Sequence, residues 1–374
     1  MKRPVAVLGV GMAKFGRITG RSNVEMALVA GTNAFEDAAI SPRDVEIAFC
    51  THCNQGVANG LRVFNALGVS GIPITNLELA CASESRGVFL AAELISAGAY
   101  DTAMVLGVER MPRGMIPTGG DVNEAGYEAR MGLTMMPGTY AARVNRHMYL
   151  YGTKREHLAK VAVKEHRNGS LNPNATYRDT YSLEEVLNSR MIADPITLYM
   201  CSANADGATA TILCSAEKAR QYTTHPVLLV GWAAASPVYS RDEPGLSDSP
   251  IDSLGKKVYE MSGVGPEDVD VAQCHDAFSP GEIFVLEDLG FCPVGEGGPF
   301  VWEGNTEIDG KIPVNTDGGL VSCGHPIGAT GGRMIAELVW QLKGEAGQRQ
   351  VKNPKVAMLH NEGVGGANVM VFKA

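Results

Sequence analysis

Pro4-Val5-Ala6-Val7-Leu8-Gly9, near the start of the chain, returns as Pro226-Val227-Leu228-Leu229-Val230-Gly231. Outward from that pair the echo continues. Pro42-Arg43-Asp44-Val45-Glu46-Ile47-Ala48 returns as Pro266-Glu267-Asp268-Val269-Asp270-Val271-Ala272, and Ala92-Glu93-Leu94 as Ala336-Glu337-Leu338. One short match is cheap, but three in the same order indicate two similar halves. The helices carrying the third echo open near Cys81 and near His325. The chemistry is therefore expected between the halves.

Strands are expected at Val5–Val10, Val45–Phe49, Thr75–Leu79 and Thr102–Val108, with helices at Asn23–Ala39 and Ser83–Ser96. The second half repeats the pattern: strands Val227–Val230 and Val269–Gln273, helices Ile251–Met261, Glu282–Leu289 and Ala329–Leu342, and a final strand pair ending at Phe372. Such alternation favours parallel sheets covered by helices, an α/β fold. From about Met111 the texture changes, with Met115, Met131, Met135, Met136 and Met148 among frequent Gly and Pro. This stretch reads as an insertion. The expected division is 1–112 with 203–225 as the N-terminal half, 113–202 as the insertion and 226–374 as the C-terminal half. Gly295–Gly310, rich in Gly and acidic residues, reads as loop.

Of the 374 residues 45% are apolar and 20% charged, ordinary for a soluble globular protein. No apolar run approaches the roughly 20 residues that span a bilayer, so no membrane association is expected. Met1-Lys2-Arg3-Pro4 leads into a short strand rather than a signal peptide. Eight scattered cysteines suit a reducing cytoplasm. A net charge of −9 argues against nucleic acid as a partner. Against that balance, Arg143, Arg146, Lys154, Arg155, Lys160, Lys164, Arg167 and Arg178 face only Glu156 and Glu165 in the same stretch. The excess suggests a polyanionic ligand; the alternatives are a solvated helix face or a subunit contact.

Cys81 lies in Leu79-Ala80-Cys81-Ala82-Ser83, where a strand turns into an Ala-rich helix. Unpaired N–H groups at a helix start favour a thiolate, although the apolar neighbours also suit a buried structural cysteine. The strongest signal is Asn315-Thr316-Asp317-Gly318-Gly319-Leu320-Val321-Ser322-Cys323-Gly324-His325-Pro326-Ile327-Gly328-Ala329-Thr330-Gly331. Its glycines permit close backbone approach, and Pro326 fixes the turn so that His325 is held rigidly as a base or oxyanion donor. His275 in His275-Asp276-Ala277-Phe278 and His360 in His360-Asn361-Glu362-Gly363-Val364-Gly365-Gly366 also end strands, where open α/β sheets gather ligands. Cys50-Thr51-His52-Cys53 is half a zinc site without a second half, and no metal is expected. Gly9-Val10-Gly11 lacks the rest of a dinucleotide fingerprint.

Together these motifs resemble the thiolase superfamily across essentially the whole chain, within it the sterol-carrier-protein-type and archaeal branch. The Tyr151-Gly152-Thr153-Lys154-Arg155-Glu156-His157 segment is also similar to that branch. The resemblance implies a duplicated five-layer α-β-α-β-α core with an inserted loop domain. It implies an acyltransferase that cleaves or forms a 3-oxoacyl-CoA through an acyl-Cys81 intermediate, a bulky or aromatic acyl chain being one candidate, in lipid metabolism or catabolism. Coenzyme A would be a substrate and no cofactor tightly bound. His325 and a water at His275 would hold the enolate oxygen, and His325 would help deprotonate Cys81. Backbone N–H groups of Cys81 and of the loop Gly363, Gly365 and Gly366 would form a second oxyanion hole. Arg143, Arg146, Lys154, Arg155 and Lys164 would meet the coenzyme A phosphates.

A second acid/base is required, and both cysteines that commonly serve are missing: His360 stands at one position and Ala277 at the other. His360 is the first candidate and Cys323 the alternative. Glu362 departs from the small or apolar residue expected there; with Ala277 and Phe278 it would shape the substrate site. The resemblance further implies a homodimer and a small OB-fold and zinc-ribbon partner subunit. Alternative readings are a thiolase-fold retro-aldolase using tyrosine chemistry, and a non-catalytic acyl-CoA-binding subunit.

Overall fold

The computed structural model describes residues 3–17, 20–112, 135–239, 247–248 and 250–374. The N-terminal half contributes β1 (Val5–Met12), α1 (Asn23–Ala38), β2 (Ile47–Thr51), α2 (Asn59–Ala66), β3 (Ile74–Leu77), α3 (Ser83–Ser96) and β4 (Thr102–Glu109). After an excursion through α4 (Met136–Tyr151), α5 (Arg155–Ser170), α6 (Leu183–Asn188) and the short hairpin β5 (Met191–Ala193) and β6 (Ile196–Thr197), it closes with β7 (Gly207–Ser215). A four-residue helix α7 (Ala216–Ala219) leads to β8 (Val227–Ala235) and the small pair β9 (Val238–Tyr239) and β10 (Ser247–Asp248). The rest is α8 (Ile251–Ser262), β11 (Val271–Gln273), α9 (Pro280–Asp288), α10 (Gly297–Trp302), α11 (Thr330–Lys343), β12 (Val356–Gly363) and β13 (Gly366–Lys373).

Nine strands form one sheet in the order β11-β12-β13-β8-β1-β7-β4-β2-β3. Its seam is the antiparallel pairing of β1 with β8, the first sequence echo, with Val5 opposite Leu229 and Val7 opposite Val227. Outward from the seam the halves repeat one pattern. β1–β7 and β7–β4 are antiparallel and β4–β2 parallel; β8–β13 and β13–β12 are antiparallel and β12–β11 parallel. β3, parallel to β2, has as its counterpart a single parallel bridge from Ala272 to Val314.

The helices complete five layers. α1 and α2 cover the outer face of the N-terminal sheet, α8 covers that of the C-terminal sheet, and α3 and α11 pack together between them. α1 starts on a reciprocal Ser22–Glu25 capping box, the arrangement that satisfies orphan N–H groups at a helix start. Gly11 lets β1 lie directly on α1, since a Cβ there would sit 2.1 Å from the Ala30 carbonyl oxygen. Within the central layer Val88, Ala91, Ala92 and Ile95 of α3 have no exposed surface. Burying a Val or Ile side chain stabilises by about 1.5–3 kcal/mol, so this stripe fixes the depth at which the Cys81 turn sits.

Three expectations change. The Ala-Glu-Leu echo is 244 residues apart, whereas α3 and α11 align end to end at 247 (Ser83 with Thr330, Ser96 with Lys343). By its helix, Cys81 therefore corresponds to Gly328, and His325 lies three residues earlier. Second, Gly295–Gly310 is not all loop. Gly297–Trp302 is helical because its glycines allow close packing: a Cβ at Gly297 would lie 2.8 Å from the Ile283 carbonyl oxygen, and one at Gly298 would lie 2.3 Å from His157 Nδ1. Third, the basic stretch is largely neutralised. Arg143 pairs with Asp288 at 3.3 Å, Arg155 with Asp194 at 3.8 Å, Lys160 with Glu307 at 2.9 Å, Arg167 with Glu307, and Lys164 with Glu282 at 2.6 Å. Much of that charge docks the excursion onto acidic residues of the C-terminal half. The sequence could not show this, because those carboxylates lie more than a hundred residues downstream. Met115 and Met131 lie outside the described residues.

Candidate active site

Cys81 sits in the tight turn Ala80–Ala82 that opens α3. Ser83 Oγ fastens this turn, accepting from the Leu79 N–H at 2.8 Å and donating to the Ala80 carbonyl at 2.6 Å. Opposite, the segment through Gly319–Cys323 is held by Asp276, whose carboxylate accepts from the N–H groups of Leu320 (2.9 Å) and Val321 (3.3 Å). The His325 N–H donates to the Ala203 carbonyl at 2.8 Å. Glu109 ties the halves together, accepting from the N–H groups of Cys53 (2.8 Å) and Gly328 (3.1 Å). Thr51 adds a hydroxyl bond to the Gly328 carbonyl at 2.7 Å.

This frame brings His325 Nε2 to 3.1 Å from Cys81 Sγ. The tautomer follows from the neighbours. Thr330 Oγ1 gives its one hydrogen to the Pro326 carbonyl (3.0 Å), so at 2.7 Å it accepts from His325 Nδ1. The Nε2 lone pair then faces the thiol. Burial holds His325 down to about 3, with Arg333 lowering it further. Burial also pushes the Cys81 thiol up to about 12, outweighing its own backbone N–H, and the carboxylate of Glu362 adds to the rise. The thiolate expected from the helix start is thus not the resting form. Desolvation outweighs the helix end, and the pair rests as neutral thiol and neutral imidazole.

His275 is fixed by a second chain of bonds. Ser85 Oγ donates to Asn361 Oδ1 at 2.6 Å, which turns the Asn361 amide so that its Nδ2 donates to His275 Nδ1 at 3.0 Å. The remaining hydrogen of His275 is therefore on Nε2. Burial first, then His325, His360 and Arg333, keep this ring neutral well below the usual histidine range. The two rings meet edge to face at 5.3 Å, and donor atoms of Cys81, His275 and His325 lie within 4.8 Å of one another. A neutral Nε2–H and a base beside a thiol are suited to forming a thioester and holding an oxyanion.

His360 lies within β12, opposite Val369, rather than before a glycine loop. The glycines make a hairpin with Val364 and Gly365 at its tip, closed by Gly363 opposite Gly366. Only Gly363 touches the nucleophile's turn: a Cβ there would be 2.9 Å from the Cys81 nitrogen. Gly365 faces Leu79 and Gly366 the Ala235 carbonyl. His360 has no exposed surface, and burial lowers it to about 4. Its Nδ1 is 3.5 Å from the His275 N–H and its Nε2 is 3.8 Å from Glu362 Oε2. Glu362 Oε1 accepts from the Tyr140 hydroxyl at 3.0 Å, and Tyr140 packs on Phe278 with ring centroids 4.9 Å apart. Ala277 is buried, its carbonyl taking the Ser202 N–H.

Two candidates are removed by burial. Cys323 has no exposed surface and packs with Met12, Phe15, Ala175, Ala205 and Ala329. Burial pushes its thiol up, and it cannot exchange protons with a substrate beside Cys81. Lys164 is 1% exposed, its Nζ 2.6 Å from both Glu282 oxygens and 3.0 Å from the Val314 carbonyl, out of reach of a coenzyme A phosphate. Arg143 lies 4.2 Å over the Phe284 ring while pairing with Asp288. Arg146 and Lys154 are exposed, and Arg155 is half-buried. Thr330, Asn361, Ser85 and Tyr140 were not singled out by sequence as site residues. Adjacency to His360 offered a hint for Asn361; Tyr140 had no signal.

Residues 5–217 match the thiolase N-terminal domain and residues 234–372 the thiolase C-terminal-like domain. An acetyl-CoA acetyltransferase of Methanothermobacter thermautotrophicus is 39% identical over 99% of this chain and 98% of its own length. Human sterol carrier protein 2 is 38% identical over 99% of this chain and 72% of its own. The benzoylsuccinyl-CoA thiolase subunit BbsB of Thauera aromatica is 35% identical over 98% and 96%. Among solved structures, the Ltp2–ChsH2(DUF35) aldolase superposes with a TM-score of 0.88 at 26% identity, covering 99% of this chain and 98% of that one.

Proposed function

The chain belongs to the thiolase family and is an acyl-CoA C-acyltransferase; from that premise we propose that Cys81 carries the acyl group and His325 is its base. The observation that carries this reading is the 3.1 Å approach of the His325 Nε2 lone pair to the Cys81 thiol. In the cleavage direction His325 takes the Cys81 proton and the sulfur attacks the ketone carbon. Protonated His325 and the fixed Nε2–H of His275 then donate to the enolate oxygen. The Cys81 N–H and the backbone at Gly363 bracket the thioester oxygen. Neutral partners at rest mean that charge appears only as the reaction proceeds, where preorganised donors stabilise it most.

Coenzyme A is the substrate, held in this reading by the exposed Arg146 and Lys154 with Arg155, not by Lys164. The likeness to a benzoylsuccinyl-CoA thiolase subunit and the Tyr140–Phe278 ring pair support a bulky or aromatic acyl chain. The solved Ltp2 neighbour carries ChsH2(DUF35), which supports a small OB-fold and zinc-ribbon partner here, beside a homodimer. The domain division 1–112 with 203–225, 113–202 and 226–374 is retained as a proposal. Among the described residues no helix is long and apolar enough to cross a membrane. The eight unpaired cysteines support a reducing cytoplasm.

Intact-protein mass spectrometry after mixing with acetyl-CoA and bulkier acyl-CoAs tests the reading. The expected result is an adduct on Cys81 that free coenzyme A removes. Two observations favour the aldolase as a second reading: the aldolase superposition and the buried Tyr140 beside Glu362. No adduct from any donor, with retro-aldol cleavage that survives Cys81→Ala, would establish that reading instead.

A further inference from the structure

Thiolase chemistry, on which this inference rests, needs a second group to protonate the enolate carbon and then deprotonate the incoming coenzyme A thiol. Few groups near Cys81 can do so. Cys323 is enclosed in its own apolar cluster, and Ala277 cannot titrate. His360 has no exposed surface, and its two nitrogens face the His275 N–H and Glu362. His275 is committed through Nδ1 to Asn361. Burial, and then Glu362, push the Tyr140 phenol well above its ordinary range, so it stays protonated.

Glu362 remains. Its side chain is 23% exposed, whereas the neighbouring His360 ring has no exposure. The backbone that follows it is pressed against the Cys81 nitrogen. Among neighbouring charges its carboxylate acts on the Cys81 thiol ahead of Glu109 and Glu78. Tyr140 holds Oε1 at 3.0 Å and leaves Oε2 as the oxygen able to exchange a proton. The titratable and charged groups facing it are Tyr140, Arg143, Asp288, His360 and Cys81.

We infer that Glu362 is the second acid/base of the reaction. Cys81 Sγ bonds to the ketone carbon as His325 takes the thiol proton, and the bond from that carbon to the α-carbon breaks. The electron pair passes to the α-carbon, which takes its proton from the Glu362 carboxylic acid. The Glu362 carboxylate then takes the proton of the entering coenzyme A thiol, whose sulfur attacks the acyl carbon. Cys81 leaves as thiolate and recovers its proton from His325. The proton that Glu362 donates is the one it took from the coenzyme A thiol in the preceding turnover; without it a carboxylate would repel the enolate.

The test is deuterium uptake at the methyl group of acetyl-CoA in D₂O, read by mass spectrometry on the full chain. Acylation of Cys81 is measured beside it. Wild-type protein is expected to exchange, and Glu362→Gln to exchange about 10²–10⁴-fold more slowly. Acylation of Cys81 by an acyl-CoA is expected to slow by a smaller factor than exchange, because a departing thiolate needs less acid assistance than a carbon needs base. Glu362→Asp, which keeps the carboxyl, should recover part of the exchange. Wild-type exchange rates in Glu362→Gln, loss of exchange in His360→Asn with Glu362 intact, or no exchange by wild-type protein that does acylate Cys81 would each overturn the inference. Failure of wild-type protein to acylate Cys81 would instead overturn the thiolase reading.

Discussion

In the N-terminal half the turn Ala80–Ala82 leads into α3; in the C-terminal half the turn Ile327–Ala329 leads into α11, a helix of the same length packed against it. The first turn is joined to a full strand, β3. The counterpart of that strand is a single bridge at Val314, followed by the π-helical Gly319–Cys323 turn that delivers His325. The buried charges differ too. In the C-terminal half Arg333 pairs with Asp317, and Arg349 pairs with Glu337 at 2.8 Å. In the N-terminal half the fully buried Glu84 accepts only from a hydroxyl and backbone N–H groups. Duplication supplied two facing helix starts. Divergence then placed the proposed nucleophile at the first and His325 next to the second, with the other candidate proton-handling groups, His275, His360 and Glu362, elsewhere in the C-terminal half.

The comparison breaks most visibly at the nucleophile. Cys81→Ala is expected to lower turnover by about 10⁴-fold or more and to abolish the mass adduct; residual acylation elsewhere would show that Cys81 does not carry the acyl group. On the other side, His325→Asn should slow Cys81 acylation by about 10²–10⁴-fold in stopped-flow measurements, and an unchanged rate would remove His325 as the base. Between the halves and the excursion, Lys164→Met strands Glu282 in a dry site and is expected to cost about 3–5 kcal/mol in denaturant unfolding. The less buried pair of Lys160 with Glu307 should cost about 1 kcal/mol or less when cut by Lys160→Ala. Equal costs would mean that burial does not separate them.

A further effect concerns pH. Burial holds His325 at about 3 and His360 at about 4, below the ordinary histidine value of about 6.5. The unfolded chain therefore binds more protons than the folded chain between those values. Stability from these groups is complete above about 6.5 and falls with pH below it, by about 1.4 kcal/mol per pH unit for each histidine. His360→Gln should flatten that slope by one such increment in urea titrations at pH 5 and 6. An unchanged slope would show that His360 is not held neutral by the fold.

Much of the scaffold was legible because it rests on local rules. Period-two runs, helical spacing and Gly or Pro at turns placed α3 at the residues observed, and β1 and α1 within two residues at either end. The same rules failed where long-range contact decides. Gly297–Trp302 is helical because of what it packs against, and the Ala-Glu-Leu echo is out of register although its letters agree. In the site, the residue types at Cys81, His275 and His325 pointed to the proposed chemistry. Their protonation did not follow from type, since helix-end stabilisation of a thiolate lost to burial.

The sequence by itself determined the duplication, the family resemblance and the residues that can react, because each is written in short segments whose conformational preferences are set by near neighbours. Only the tertiary structure decided which nitrogen of His325 faces the thiol, which way Asn361 turns His275, and that Lys164 and Cys323 stand out of reach. Those outcomes depend on desolvation and on single hydrogen bonds, and apart from the local Thr330 bond their partners come from distant parts of the chain.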